Sequence, residues 1–177
     1  MFCTIEWGVD LGECDALFQT IRRSTLLQSI PYAQAMRHVH QQGSRFGIIL
    51  MNGERAGLIR IGESGLFKNA IHAVTLDRGP LWFDGYGTPE HWRAFLTRYD
   101  TEFPKRFLRK RRVIAETEDR APFEDHALIG PPYQTIWLDL TPELETLRQN
   151  LHQKWRNVLN KAERQRLTTL PDWDGAA

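Results

Sequence analysis

The residues of this chain best suited to chemistry are basic, and they lie in two runs. Residues 105–112 hold six basic residues in eight, and a second series of lysines and arginines runs from Arg148 to Arg166. Such runs can bind phosphates, although a solvated helix end or outer helix face is the commoner use of both. The formal net charge is +1, so no global field attracts nucleic acid or an anionic membrane.

A third candidate is Arg78, which precedes Gly79 and Pro80. The guanidinium beside this stiff, narrow backbone is suited to hold a carboxylate or a phosphate bidentately. Gly-Pro is also ordinary turn chemistry, so the motif alone carries little specificity.

No catalytic nucleophile, metal site or cofactor site is predicted. The six histidines follow no metal-binding pattern, and no Ser, His and Asp set or G-x-S-x-G elbow is present. The glycine-rich residues 53–65 match neither a P-loop nor a dinucleotide fingerprint. Residues 60–65 also have the wrong spacing for the pyrophosphate loop of acetyl-CoA enzymes. We therefore predict neither cofactor nor metal.

The two cysteines, Cys3 and Cys14, match no zinc or redox spacing and are predicted to be reduced, non-catalytic thiols. The first residues include Glu6 and Asp10 and lack the basic and apolar regions of a signal peptide. No window approaches 18 apolar residues, so no transmembrane segment is expected. These observations predict a cytoplasmic protein.

The hydrophobic pattern predicts an α+β fold with a mixed, largely antiparallel sheet flanked by helices. Asn52-Gly53 is the strongest hairpin signal, because both residues accept positive φ. Thr88 and Pro89 mark a helix start. Gly43 is expected to end the helix predicted over 31–42. The predicted strands cover 3–7, 46–51, 56–61, 70–76, 112–116 and 134–140, and the predicted helices cover 12–23, 31–42, 88–103 and 141 to about 166.

The last predicted helix suggests a division into two domains. Leu147, Leu151 and Trp155 recur at helical spacing and should pack on the first domain, whereas basic residues cover the rest of the helix. The short apolar stretch 167–170 resembles a first strand. We therefore predict a first domain over 1–140, followed over 141–177 by the opening helix of a truncated second domain.

Four segments in order resemble the FemAB family of peptidoglycan bridge-forming aminoacyltransferases, which have a GNAT-like fold. The first contains Leu-Gln-Ser at 27–29, the second Arg-Gly-Pro at 78–80, and the third covers 136–140. The fourth, over 154–164, is similar to the Lys-x-Arg-x-x-Ile-x-Lys-Ala-x-Arg helix that opens the second GNAT-like domain of the family.

The resemblance implies a function and a set of site residues. Family members transfer an amino acid from aminoacyl-tRNA to a peptide-stem amine of a peptidoglycan precursor, using two GNAT-like domains and no acetyl-CoA. By position, Arg78, Arg156 and Lys161 would bind substrate, and Glu116 is a weak catalytic candidate. Arg37 neighbours the position at which some members place a diphosphate-binding lysine, and here that position is Met36.

The implied partners are the precursor and the aminoacyl-tRNA, with a missing C-terminal domain or a second copy of the chain completing the cleft, and no DNA. Two other functions stay open at this point. One is a GNAT-type N-acyltransferase that uses a CoA or carrier-protein thioester. The other is a non-catalytic basic module that binds RNA or a nucleotide-linked precursor.

Overall fold

The computed structural model describes residues 1–67, 70–117, 119–127, 130 and 138–165. The chain divides into two compact units, Met1–Leu128 and Ile129–Ala177. Within the described ranges, no helix is both long enough and apolar enough to cross a bilayer.

The first unit contains a mixed sheet with helices from the intervening segments. Its strands are β1 (Cys3–Trp7), β2 (Gly43–Met51), β3 (Glu54–Leu66), β4 (Ile71–Asp77), β5 (Leu81–Trp82) and β6 (Arg109–Ile114). Its helices are α1 (Leu11–Thr20), α2 (Ile30–His40) and α3 (Pro89–Glu102), with short 3₁₀ turns at Leu26–Gln28 and Ala121–Phe123.

The strand order is β1-β2-β3-β4-β6, and β5 pairs with β3. Every pairing is antiparallel except that of β4 with β6, which is parallel. A parallel pair requires a long crossover, and the segment carrying α3 supplies it. The predicted fold class, a largely antiparallel mixed sheet flanked by helices, is confirmed.

Both faces of the sheet bury apolar residues at β2 and β3, and alternation along the strands assigns the residues to them. On one face, Ile49 and Ile59 belong to the larger core with Trp92 and Phe95 of α3. On the other face, Ile48 and Leu58 form a smaller cluster with Ile21, Leu81 and partly buried residues of α1. Burial of one such aliphatic side chain contributes about 1.5–3 kcal/mol.

The predicted turn at Asn52-Gly53 and the predicted helix start at Thr88 are confirmed, and the structure adds a cap at Ser29. Asn52 and Gly53 have φ of 52° and 91° in the β2–β3 hairpin. Thr88 caps α3, with its side chain accepting a hydrogen bond from the backbone of His91, and Ser29 caps α2 in the same way through Tyr32.

Two predicted boundaries in the first unit are wrong. Gly43 does not end α2: Gln41 takes the left-handed conformation with φ of 53°, and Gly43 already belongs to β2. The basic run 105–112 is not a helix end, because α3 stops at Glu102 and β6 begins at Arg109. Pairing with β4 makes the second half of the run a strand.

In the second unit, the single long helix predicted from Thr141 is wrong. The structure has α4 (Leu144–Asn150) and α5 (Gln153–Arg164), separated at Leu151, whose ψ of 138° is extended. The Arg148 side chain joins the two helices by donating to Asn160 Oδ1 at 2.6 Å and to Glu163 Oε1 at 3.0 Å.

The helix-start prediction at Thr141 is also wrong, because α4 begins at Leu144 and Thr141 donates to Asp139 instead. Trp155 is 66% exposed, so the expected burial of its side of the helix is not found. Of the predicted strand 134–140, residues 138–140 have no regular structure. Residues 134–137 and the stretch 167–170 lie outside the described residues, and the domain division at 140 stays a prediction.

Candidate functional site

The candidate site lies where β4 and β6 end. Asp77 and Ile114 face each other at the last step of this parallel pair, so Arg78 and Glu116 leave the sheet at the same edge. Carboxyl ends of adjacent parallel strands are where open α/β sheets place ligands. The sequence-predicted residues Arg78 and Glu116 therefore belong to one site.

Arg78 and Glu116 contact each other directly. Arg78 Nη1 lies 3.2 Å from Glu116 Oε1, and the side chains are 21% and 27% exposed. Arg78 also has a φ of 52°, the left-handed region that costs a non-glycine residue about 1–2 kcal/mol. The backbone of Arg78 is therefore strained. Residues held in strained backbone conformations cluster at functional sites.

A second ion pair completes the charged edge. Arg112 Nη2 donates to Asp77 Oδ1 at 2.9 Å, with the arginine half exposed and the aspartate mostly covered. Cations and carboxylates therefore alternate along the ends of the two strands, which gives the edge hydrogen-bond donors for an anion and acceptors for an amine.

Gln28 joins the end of β4 to β3 through side-chain hydrogen bonds. Its buried amide donates to the carbonyls of Arg60 at 3.1 Å and Asp77 at 2.7 Å, and accepts from Arg60 N at 2.7 Å. The β3–β4 ladder extends only as far as Gly62 and Thr75. Gln28 thus supplies hydrogen bonds to backbone groups just beyond the ladder, where unpaired groups would be destabilising.

Gly79 shows why the two motifs depend on each other. A Cβ at this position would lie 2.8 Å from Gln28 Cδ and 2.8 Å from Leu76 Cδ1. The glycine is therefore required by close approach. The Leu-Gln-Ser and Arg-Gly-Pro motifs are in contact, and together they position Arg78. Gly79 and Pro80 are buried, so this segment is not an exposed turn.

Sequence reasoning missed Arg60, which is only 2% exposed. Its guanidinium donates to the Leu27 carbonyl at 2.9 Å and to Ser44 Oγ at 2.9 Å, and it stacks over Tyr32 at 5.1 Å. Burial lowers the pKa of Arg60. The available signal was an arginine inside an apolar strand run, which requires buried partners.

The other predicted site residues do not join Arg78 and Glu116 in the first unit. Arg37 lies on the exposed surface of α2 near its end. In the second unit, Arg156 donates to the Gln149 carbonyl at 3.0 Å and so stabilises the α4–α5 connection. Lys161 lies in the last turn of α5.

The titratable groups away from this edge do not suggest a nucleophile. Burial raises the pKa of Cys3 to about 11, and burial also raises the pKa of Cys14, so both thiols resist ionisation. Among the described residues, no group of three histidine, cysteine or acidic side chains could hold a metal ion.

No protein-family model and no curated protein matches this chain. Among solved structures it is similar to FemX, at 19% identity and a TM-score of 0.43, over 58% of this chain and 24% of FemX. It is also similar to a probable acetyltransferase, at 13% identity and a TM-score of 0.45, over 81% of this chain and 100% of the other.

A further similarity is to a predicted acetyltransferase from Clostridium acetobutylicum solved with acetyl-CoA, at 11% identity and a TM-score of 0.38, over 79% and 96% of the chains. The matched part of this chain spans about a quarter of FemX. Likenesses this distant do not assign an activity.

Proposed function

We propose that this chain belongs to a FemAB-like aminoacyltransferase and binds the acceptor, a peptidoglycan precursor whose peptide stem carries the attacking amine. The observation that carries the proposal is the pairing of Arg78 with Glu116 at 3.2 Å. The family resemblance selects these two residues separately, and the parallel pairing of β4 with β6 gives a physical reason for them to act together.

The two side chains match the needs of the reaction. The stem amine attacks the ester carbonyl of the aminoacyl-tRNA, an N–C bond forms, and the ester C–O bond breaks. The amine loses a proton and the departing ribose hydroxyl gains one. Glu116 can accept a hydrogen bond from the amine and take up its proton, whereas Arg78 can bind a phosphate or carboxylate of the acceptor.

The motif contacts also support the proposal. The Leu-Gln-Ser and Arg-Gly-Pro motifs meet at Gln28 and Gly79, so two of the four resembling segments form one structural unit behind Arg78. Short motifs that matched the family only by chance would not be expected to contact each other.

The first test is calorimetric binding of a uridine-diphosphate-linked muramoyl pentapeptide. Arg78→Gln should weaken binding about ten-fold, the equivalent of one lost contact of about 1.4 kcal/mol. Arg55→Gln is the matched control, because Arg55 also pairs with a glutamate, Glu13, at 2.6 Å but lies at the β2–β3 hairpin. Equal affinities in Arg78→Gln and wild type, or no binding at all, would reject the proposal.

The second test is transfer of a radiolabelled amino acid from aminoacyl-tRNA to the same precursor. If transfer occurs, Glu116→Gln should lower its rate and leave precursor affinity within a few-fold of wild type. Stabilisation by acetyl-CoA in a thermal melt, without precursor binding, would instead favour the thioester-dependent N-acyltransferase. RNA binding with a steep salt slope and no transfer would favour the binding module.

A further inference from the structure

A second cleft lies at the opposite ends of the strands that carry Arg78 and Glu116. Its volume is about 640 Å³, within the range of ligand sites, and it is lined by the end of α2 and the adjoining ends of β3, β4 and β6. His72 in this cleft and Asp77 at the other end of β4 are about 16 Å apart by strand rise. The cleft is therefore separate from the candidate site.

The cleft is apolar on part of its lining. Leu66, Ile71 and Leu108 all line it and are 63%, 41% and 48% exposed. Large apolar side chains grouped in a concave surface leave hydrophobic area for a ligand to cover.

Basic residues also line the cleft. Arg109, Lys110 and His40 reach the cleft. Burial lowers the pKa of Arg109, and the positive charges of Arg106 and Arg111 lower it further, whereas the charge of Glu63 raises it.

An acidic group beside this lining, Glu63, already has two partners. Glu63 pairs with Arg45 at 2.9 Å and with His72 Nε2 at 3.3 Å. Its carboxylate is therefore shared between two partners on the neighbouring strands, and its charge also acts on Arg109, whose pKa it raises.

Two buried polar atoms in the lining are unsatisfied. His72 is 6% exposed, and its Nδ1 has no hydrogen-bond partner within the described residues. Arg109 Nε is also buried and has no hydrogen-bond partner within the described residues, although Arg109 Nη1 donates to the Pro104 carbonyl. Six other buried side-chain atoms of the described residues also lack a partner, so these two atoms do not by themselves indicate a ligand.

Backbone strain is concentrated at the same end of the sheet. Gln41 and Leu108 line the cleft with φ of 53° and 62°, and Phe67 next to it has a φ of 51°. Each non-glycine residue in this region costs about 1–2 kcal/mol. Such conformations persist only where the surrounding structure holds them, as it does at the cleft-lining residues Gln41 and Leu108.

We propose that this cleft binds a phosphate group carrying an apolar substituent, with the phosphate against Lys110 and His40 and the apolar part against Leu66, Ile71 and Leu108. The site does not depend on the proposed transfer reaction. The same chemistry is found in a soluble phosphate ester and in a phospholipid headgroup region, and the experiment separates them.

The soluble arm measures calorimetric binding of hexyl phosphate, inorganic phosphate and hexanol to the full chain. Hexyl phosphate should bind at least about ten-fold more tightly than either fragment, because only it uses both parts of the cleft. The variant Lys110→Gln combined with His40→Gln should weaken binding by about ten-fold or more. Lys154→Gln is the matched control, since Lys154 is an exposed lysine on α5, and it should bind as wild type does.

The apolar half is tested by Leu108→Asn, which keeps a residue that tolerates the left-handed conformation. This variant should reduce the affinity for hexyl phosphate towards that of inorganic phosphate. Circular dichroism of every variant confirms that the fold is retained, so that a lost contact is distinguished from unfolding.

The membrane arm uses flotation with phosphatidylcholine vesicles, with and without phosphatidic acid. Binding of hexyl phosphate without vesicle binding identifies a soluble ligand. Binding to phosphatidic acid vesicles that Lys110→Gln with His40→Gln abolishes identifies a phospholipid. No binding in either arm, or binding that the cleft variants leave unchanged, overturns the proposal.

Discussion

At the scale of single residues, one buried amide decides the geometry of the candidate site. Gln28 makes three hydrogen bonds to backbone groups of Arg60 and Asp77. A side chain can replace a strand here because its amide carries both a donor and an acceptor, as a peptide group does. Gly79 packs closely against the Gln28 side chain because it has no Cβ. This packing sets the position of the adjacent Arg78.

Gln28→Ala should destabilise the fold by about 2–4 kcal/mol, because it leaves buried backbone donors and acceptors without partners. The free energy of unfolding in urea measures this loss. Gln34→Ala is the control, since Gln34 is exposed on α2 and should change stability by no more than about 0.5 kcal/mol. A Gln28→Ala loss as small as that of the control would mean that the three bonds do not stabilise the fold.

Gly79→Ala should destabilise by about 1–3 kcal/mol, because the new methyl group would overlap Gln28 and Leu76, both at 2.8 Å. The same urea titration measures it. Precursor affinity should fall as well, since the shift displaces Arg78. An unchanged affinity in a destabilised Gly79→Ala protein would separate the packing of this segment from the function of the arginine.

At the scale of elements, the α3 crossover is what makes β4 and β6 parallel neighbours, and its start is set locally. Thr88 accepts from His91 N, and the His91 side chain accepts in return from Thr88 N at 3.2 Å. These reciprocal bonds satisfy two backbone groups that a helix start leaves unpaired.

Thr88→Ala should therefore lower the free energy of unfolding by about 1 kcal/mol. Thr97→Ala is the matched control, because Thr97 lies mid-helix, is exposed and donates only to the Arg93 carbonyl. This control should be neutral or slightly stabilising, as alanine favours helix interiors. Equal losses in the two variants would contradict the capping role.

The elements also show what the sequence could and could not predict. The helix start at Thr88 and the turn at Asn52 rest on local chemistry, so their prediction succeeded. The strand β6 was misplaced because arginine and lysine carry no strand signal. Its position depends on pairing with β4, and on Arg111 donating to the Phe103 carbonyl at 2.8 Å.

The break between α4 and α5 was missed for a similar reason. Leu151 and His152 are ordinary helix residues, and no glycine or proline marks the site. His152 nevertheless caps α5 through Lys154 N. At the candidate site, Arg78 was identified from its own chemistry and from the family resemblance, and Glu116 from the resemblance alone. Their contact across the strand ends requires the parallel pairing, which no local pattern encodes.

At the scale of the whole molecule, the first unit uses one parallel strand pair for two purposes. The carboxyl ends of β4 and β6 present paired opposite charges, whereas their other ends present unsatisfied polar atoms and a basic, apolar cleft. The buried centre between them is apolar, with Val74 and Leu76 both fully buried. The buried apolar core therefore lies between the candidate site and the proposed second cleft.

The same core makes stability depend on pH on the alkaline side. Burial raises the pKa of Cys3 to about 11 from an ordinary value of 9.0, and burial also raises the pKa of Tyr99 well above its usual value. The folded protein therefore keeps protons that the unfolded chain releases. The contribution is complete below about pH 9 and is lost as the pH rises towards the folded-state values, so the free energy of unfolding should fall above pH 9.

Tyr99→Phe tests the tyrosine share of this effect. The Tyr99 hydroxyl is buried and has no hydrogen-bond partner within the described part of the chain, so its removal should be neutral or stabilising at pH 7. Urea unfolding from pH 7 to 10.5 should then show a shallower alkaline decline in the variant than in wild type, because one group no longer ionises on unfolding. An identical decline in both proteins would mean that the tyrosine does not couple ionisation to folding, and Cys3→Val would then test the thiol by the same measurement.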